Sequence, residues 1–483
     1  MQRSARWVPK GTLGRRFCAV TDRIVIRVSF DRLAEYLLFI GIVGAACLMP
    51  AQNDTWWQLR AGQDIWATAR IDLRDHFSHT VAGSYWPNHE WLSQALFFGA
   101  YRTGGMPALT ALCAAAVIAA WMLVWARVPM RSRTTTVWLA LGVLGSTPAW
   151  TLRPQVFTLL LAAVTFVLLE RERERWLPLI FVIWANLHGG VVLGFAILAG
   201  AIAYRVTLNR RVVPLLVVAT LCAAATMVTP LGPSLWREVP ASLARLRDYQ
   251  VNEWRPPALT DLTTAPFWIV GGGVALVAVR TRLRRLPMIM WAAVALLPLA
   301  LLSGRNISPF LLMGTPALAT AAERPSEAHA RREHYAFNFA MLALGGVAAV
   351  VVVAYSWARE TSRLAWHPLS HDVVEALDRC PGPIYNRYDD GGYLIWFANR
   401  AVFLDSRQDP FPPALVHAQI AAERSGEYRS LFDRYAIRCA FVPATSLVSQ
   451  RLEADGWRAL YSGPTWAVLT TPDRYHMASS VQP

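Results

Sequence analysis

A series of long apolar runs constrains the fold of this chain more than any other feature of its sequence. Runs such as Leu33–Met49 and Met106–Trp125 are long enough to cross the roughly 30 Å hydrocarbon core of a bilayer. Only 16% of the 483 residues are charged, and the mean hydropathy is +0.30, whereas soluble domains carry about 25% charged residues. The composition therefore excludes a soluble enzyme, a disordered tail protein and a disulfide scaffold. It predicts a polytopic α-helical membrane protein.

The positive charge of the chain, +15 in total, is concentrated beside the apolar runs. Residues 1–32 hold eight basic and two acidic residues, while residues 357–483 are near neutral, with 13 arginines and 14 acids. Basic flanks of this kind mark the cytoplasmic side of a membrane protein. We therefore predict a cytoplasmic N-terminus in a bacterial inner membrane and no nucleic-acid partner.

Hydropathy and arginine clusters together predict about eleven transmembrane helices within residues 33–356, with a first outside loop over residues 52–105. The predicted spans are about 33–51, 106–126, 135–149, 156–169, 177–187, 190–204, 212–229, 266–279, 287–303, 307–321 and 336–356. Several of them are shorter than the roughly 20 residues that a straight crossing needs, so some boundaries shift or a pair is re-entrant.

Residues 357–483 are predicted to form a small periplasmic α/β domain. Short β-rich runs, Tyr393–Phe397 and 401–404 among them, alternate with helical segments and turn formers. Two cysteines of the domain, Cys380 and Cys439, are open to a disulfide if the domain is extracytoplasmic, or are simply buried.

The first outside loop contains the residues best suited to chemistry. Its tryptophans are typical of an interfacial belt, but Asp54, directly after the first apolar helix, gains nothing structural from that position. A carboxylate at a membrane boundary is a functional candidate by default. His89 and Glu90 follow later in the same loop.

An aspartate just beyond the first transmembrane helix, followed by a loop of interfacial helices, resembles the GT-C superfamily of polytopic glycosyltransferases. That superfamily includes oligosaccharyltransferases, protein O-mannosyltransferases and lipid A aminoarabinose transferases. Six motifs along the chain are together similar to a group of bacterial membrane proteins related to that superfamily. These motifs are Asp54-Thr55-Trp56-Trp57, His89-Glu90-Trp91-Leu92, Arg153-Pro154-Gln155, Asn186-Leu187-His188-Gly189, Asp390-Gly391-Gly392-Tyr393 and Asp405-Ser406-Arg407.

The resemblance implies transfer of a sugar from a polyprenyl-phosphate-linked donor to an extracytoplasmic acceptor, with inversion. Asp54 holds the superfamily position of the base that accepts the proton of the acceptor hydroxyl. Arg153 and Arg305, at predicted outer helix ends, are candidates to stabilise the leaving phosphate. His89 and Glu90 are candidates to position donor or acceptor, or to bind a divalent cation (Mg²⁺ or Mn²⁺) with Asp54.

Three further residues are candidate substrate contacts, and two of them have a structural alternative. Gln155 follows Arg153 at the same helix end. His188 is either a site residue or a satisfied core histidine, and Asn186 is either a substrate contact or a polar link between helices.

Two departures from the superfamily limit what the resemblance carries over. An Asp-Glu pair like that of the mannosyltransferases is absent beside Asp54, and Pro87-Asn88-His89-Glu90 replaces the Pro-Pro motif of the aminoarabinose transferases. We therefore assign no sugar, acceptor or metal site. The alternative functions are a membrane scaffold, a carrier of lipid-linked sugars, and a polysaccharide-assembly protein that retains the fold.

Overall fold

The computed structural model describes residues 28–129, 132–238, 241, 252–322 and 333–472. The predicted basic N-terminus, residues 1–32, lies almost entirely outside this range. In the described ranges, α-helices with the following bounds form the part predicted to lie in and beside the membrane: α1 (Phe30–Cys47), α2 (Asn53–Thr68), α3 (Trp91–Trp125), α4 (Arg133–Ser146), α5 (Gln155–Glu170), α6 (Leu177–Leu187), α7 (Val191–Thr207), α8 (Val213–Ala225), α9 (Ala265–Arg280), α10 (Met288–Leu302), α11 (Ile307–Ala321) and α12 (Tyr335–Arg359).

A helix is present at the position of each of the eleven predicted spans, and α2 lies in the first outside loop. Among the described residues, three helical segments are both long and apolar enough to cross a membrane: Trp91–Trp125, Leu262–Arg280 and Tyr335–Arg359. The shorter apolar helices do not meet that length, so eleven crossings remain a prediction.

The break between loop and membrane segment in α3 lies at two glycines. Gly104 and Gly105 have non-helical backbone angles, and Gly105 has φ 63°, a left-handed conformation that glycine adopts without steric cost. The predicted span from Met106 therefore starts just after this break. The residues of α3 before it belong to the first outside loop.

The C-terminal domain is a four-stranded sheet covered by helices. Its helices are α13 (His371–Asp378), α14 (Gly391–Phe397), α15 (Pro413–Ser425), α16 (Arg429–Arg434) and α17 (Leu447–Ala454). Its strands, β1 (Ile384–Asn386), β2 (Cys439–Pro443), β3 (Arg458–Ser462) and β4 (Trp466–Thr470), have the order β1-β2-β4-β3. β1 is parallel to β2, and the other two pairs are antiparallel. A disulfide joins Cys380 to Cys439 with their Cα atoms 5.6 Å apart.

Two predicted strands of this domain are wrong. Residues 393–397 lie within helix α14, because the two glycines before them open a helix rather than a turn. Residues 401–404 form no strand of the sheet; instead Val402 pairs with the first outside loop, accepting from His79 N at 3.0 Å and donating to Phe77 O at 2.9 Å.

The first outside loop and the C-terminal domain share one hydrophobic core. Trp57, Phe77 and Trp86 of the loop are buried in the same cluster as Ile384 and Phe441 of the sheet. The loop is therefore a packing layer between the transmembrane helices and the C-terminal domain, and it places Asp54 where these parts meet.

Candidate active site

Asp54 lies in the first turn of α2, where the aligned peptide dipoles favour a negative charge. The start of this helix is fixed by Thr55, whose hydroxyl accepts from Gln52 N at 2.9 Å and donates to Leu152 O at 2.9 Å. The Asp54 side chain is only 16% exposed. The carboxylate is therefore held in one place at the edge of the helical bundle.

Arg153, just before α5, is the main partner of this carboxylate. Its Nη2 lies 2.7 Å from Asp54 Oδ2, and its two terminal nitrogens donate to both oxygens of Glu253 at 3.0 and 3.1 Å. Burial disfavours the charged guanidinium, but Asp54 and Glu253 outweigh that effect and raise the pKa of Arg153. The guanidinium thus bridges two carboxylates from distant parts of the chain.

Glu253 and Trp254, in the loop before α9, connect this bridge to Arg305. The Arg305 guanidinium lies 3.7 Å from Glu253 and stacks on the Trp254 ring, 4.8 Å from its centroid. Burial favours the neutral acid, yet the charges of Arg305 and Arg153 hold the pKa of Glu253 at about 2. Glu253 is therefore ionised throughout the physiological pH range.

His188 and Glu90 lie on the other side of Arg305. His188 Nε2 is 3.2 Å from Arg305 Nη2 and 3.6 Å from Glu90 Oε1, while its Nδ1 is 2.7 Å from the Thr158 hydroxyl. Burial and the neighbouring charge of Arg305 lower the pKa of His188 well below 6.5, so the ring is neutral. Glu90 also accepts from Gln58 Nε2 at 2.5 Å.

Most of these polar groups border a cavity of about 390 Å³, which we call the first cavity. Its ionisable and amide lining includes Asp54, Gln58, His89, Glu90, Arg153, Gln155, His188 and Arg305. Its apolar lining includes Leu159, Val192, Leu193, Leu231, Leu235, Leu299 and Leu302. The cavity thus offers both charged groups and a hydrocarbon-like surface, as an amphiphilic ligand requires.

A second cavity of about 370 Å³ lies against the same carboxylate. Asp54, Arg153 and Ser406 border both cavities, whereas Tyr388 and Asp389 of the C-terminal domain line only the second. Asp54 is therefore accessible from two compartments of different chemical character.

The structure brings seven of the eight predicted site residues to the first cavity and leaves Asn186 out of its lining. Asn186 accepts from Trp91 Nε1 at 2.6 Å and donates to the carbonyl oxygens of Val182 and Val228, each at 2.8 Å. These bonds use its amide to link helices, which is the structural alternative considered for it above.

Sequence reasoning missed several contributors to the site. Gln58 and Thr158 carry no signal in a single sequence that separates them from ordinary polar helix residues. Ser406 belongs to one of the motifs that carry the resemblance, Asp405-Ser406-Arg407, but nothing in that motif predicts a contact with Asp54. Only the fold shows that contact.

The neighbours of Asp54 are hydrogen-bond donors rather than metal ligands. Its Oδ2 faces Arg153, and its Oδ1 accepts from Ser406 and from Trp57 Nε1, the latter at 3.3 Å. Within the described ranges, no group of three or more histidine, cysteine, aspartate or glutamate side chains is placed to hold a metal ion.

Comparison with solved structures shows a GT-C-like fold. The oligosaccharyltransferase AglB of Archaeoglobus fulgidus, in complex with an inhibitory peptide and a dolichol-phosphate, aligns with a TM-score of 0.55 at 13% identity, over 86% of this chain and 70% of its own. ArnT of Cupriavidus metallidurans, bound to undecaprenyl phosphate, aligns with a TM-score of 0.51 at 10% identity, over 93% of this chain and 98% of its own. No protein-family profile and no curated protein sequence matches the chain.

Proposed function

We propose that this protein is a membrane glycosyltransferase that moves a sugar from a polyprenyl-phosphate-linked donor to a hydroxyl of an extracytoplasmic acceptor, with inversion. The observation that carries the proposal is the position of Asp54, which borders an amphiphilic cavity on one side and a polar cavity on the other. The solved neighbours with bound dolichol-phosphate and undecaprenyl phosphate support a polyprenyl-phosphate ligand for the first cavity.

In this mechanism the donor lies in the first cavity with its prenyl chain against the leucine wall and its phosphate beside Arg305. The acceptor enters from the second cavity and presents its hydroxyl to Asp54. The acceptor oxygen forms a bond to the anomeric carbon as the bond from that carbon to the phosphate oxygen breaks, and Asp54 takes the hydroxyl proton. Arg305 stabilises the charge that develops on the leaving phosphate, and His89 and Glu90 orient the sugar between the two cavities.

The reaction belongs on the periplasmic face of a bacterial inner membrane. The Cys380–Cys439 disulfide supports this orientation, since disulfides persist in oxidising compartments. A reporter active only in the periplasm, fused after residue 472, is expected to be active. Activity only of a cytoplasmic reporter at that position would contradict the orientation.

The function is tested by Asp54→Asn, which keeps the size of the side chain but removes the base. We expect release of polyprenyl phosphate from the lipid-linked sugar, measured by mass spectrometry of membranes, to fall about 100- to 10,000-fold. This readout does not require the acceptor to be identified. The matched control is Asp64→Asn in the same helix, whose carboxylate pairs with Arg60 and His76 away from both cavities.

If the Asp54→Asn variant released polyprenyl phosphate at the wild-type rate, Asp54 would be rejected as the base. A wild type that binds the lipid but never cleaves its sugar–phosphate bond would instead indicate a carrier or scaffold. The shared cavity of Asp54, His89 and Arg305 favours the transferase, because a scaffold gives no reason for these groups to converge.

A further inference from the structure

The C-terminal domain contributes a side chain that contacts the proposed base directly. The Ser406 hydroxyl donates to Asp54 Oδ1, and its oxygen accepts from Asn53 Nδ2 at 2.9 Å and from Trp57 Nε1 at 3.2 Å. A serine hydroxyl has one proton to donate and two lone pairs to accept with. Both acceptor sites face donors, although the single N–H of Trp57 is shared between Ser406 Oγ and Asp54 Oδ1, so the hydroxyl directs its proton to Asp54.

The contacts of Asp54 then determine which of its lone pairs remains open. A carboxylate offers about four lone-pair sites. Ser406 occupies one site of Oδ1, the N–H of Trp57, which is shared with Ser406 Oγ, lies against the other, and Arg153 occupies one site of Oδ2. Among the contacts of the described residues, this leaves one site on Oδ2 for the hydroxyl of an acceptor.

Ser406 is itself held by a buried ion cluster. The next residue, Arg407, has a fully buried guanidinium that pairs with Asp75 of the first loop at 2.5 Å and with Asp405 at 2.7 Å. The guanidinium lies 4.9 Å from the Phe77 ring centroid and 4.8 Å from that of Trp86. Such a cluster has one well-packed arrangement, so it fixes the backbone at Ser406 against the loop.

A second contact fixes Asn53, the residue before the base. Asn53 Oδ1 accepts from Gly392 N at 2.5 Å, and its Nδ2 donates to Ser406. A Cβ at Gly392 would clash with the backbone oxygen of Asn53, so the contact requires glycine. The two C-terminal motifs, around Gly392 and around Ser406, thus converge on the Asn53–Asp54 dipeptide.

We propose that Ser406 is a positioning residue of the reaction centre, which orients the Asp54 carboxylate so that one oxygen stays open to the acceptor. This inference rests on the proposed glycosyl transfer. It makes the C-terminal domain a part of the active site.

The experiment compares Ser406→Ala with Ser406→Thr, which retains a hydroxyl. The free energy of a hydrogen bond to a charged group corresponds to a change in turnover rate of about 10- to 100-fold. We expect that loss for Ser406→Ala, with the dissociation constant for undecaprenyl phosphate unchanged within twofold, and at least partial recovery of turnover in Ser406→Thr.

Ser78→Ala is the matched control. The Ser78 hydroxyl also donates to a carboxylate at the same domain contact, Asp75 Oδ2 at 2.6 Å, but it borders neither cavity. If Ser406 only docked the domain, the two alanine variants would lose activity alike and the threonine variant would recover nothing.

The outcomes separate this inference from the proposed function. A wild type that releases no polyprenyl phosphate would overturn both. An active wild type, with Asp54→Asn inactive and Ser406→Ala unimpaired, would overturn the role of Ser406 alone. So would a Ser406→Ala variant whose lipid affinity falls as much as its turnover rate.

Discussion

Glu253 gives a prediction whose size and pH dependence both follow from the structure. Its pKa of about 2, against an ordinary 4.5, reflects the attraction of Arg305 and Arg153 over the opposing effect of burial. A difference of about 2.5 pH units corresponds to about 3 kcal/mol, at about 1.36 kcal/mol per unit. Because the side chain is 32% exposed, solvent screening reduces this to about 2 kcal/mol.

The sign of the pH dependence follows from the lowered pKa. A carboxyl with a lower pKa in the folded protein stabilises it fully above the unfolded pKa, near 4.5, and loses that effect as the pH falls toward 2. Glu253→Gln cannot ionise. The wild type is therefore expected to be more stable than this variant at pH 7 and pH 5, and the difference is expected to shrink by more than half at pH 3.

The assay is thermal unfolding of the detergent-purified protein at pH 7, 5 and 3, followed by tryptophan fluorescence. About 2 kcal/mol corresponds to a shift of a few degrees in Tm. Glu172→Gln is the control, since its carboxylate is 68% exposed and pairs with Arg210 at the surface, where removal has little effect. A Tm difference for Glu253→Gln that is absent at pH 7, or equally large at pH 3, would refute the reasoning.

Two further variants test the contact between the first loop and the C-terminal domain. Arg407→Ala leaves two buried carboxylates unpaired, which costs about 3–5 kcal/mol of folding free energy. We therefore expect this variant to lose its monodisperse peak on gel filtration. The control is Arg429→Ala, which removes a 71% exposed side chain and is expected to leave the elution profile unchanged. Gly392→Ala places a methyl group against the Asn53 backbone, so we expect the C-terminal domain of this variant to be digested faster by a protease. The control is Gly272→Ala, where a Cβ meets open space. Equal rates of proteolysis in the two variants would contradict the tight fit at Gly392.

The sequence was sufficient for the helices at the predicted spans and for seven residues of the first cavity. Long apolar runs and arginine clusters predict these helices because both signals are carried by the local sequence. Arg153 and Arg305 were found because they lie at predicted outer helix ends, where a leaving phosphate needs positive charge. The GT-C fold expected from Asp54 and its loop is confirmed by the solved neighbours.

The remaining parts of the site depend on tertiary contacts that no local pattern encodes. Glu253 is not among the predicted site residues, because nothing in its sequence neighbourhood shows that Arg153, 100 residues away, lies against it. The strand expected over residues 393–397 is a helix. The two glycines before it fit closely against Asp405 and Asn53, a constraint that β-propensity does not contain.

Ser406 and Asp54 are separated by 352 positions in the sequence, which has a consequence for biogenesis. Translation must reach residue 406 before the hydroxyl that we propose to orient the carboxylate exists, and in the proposed orientation the C-terminal segment must then be exported and folded against the loop. A nascent or prematurely terminated chain contains Asp54 but lacks this partner. On the proposed function, such fragments would consume sugar carriers more slowly than chains that contain Ser406.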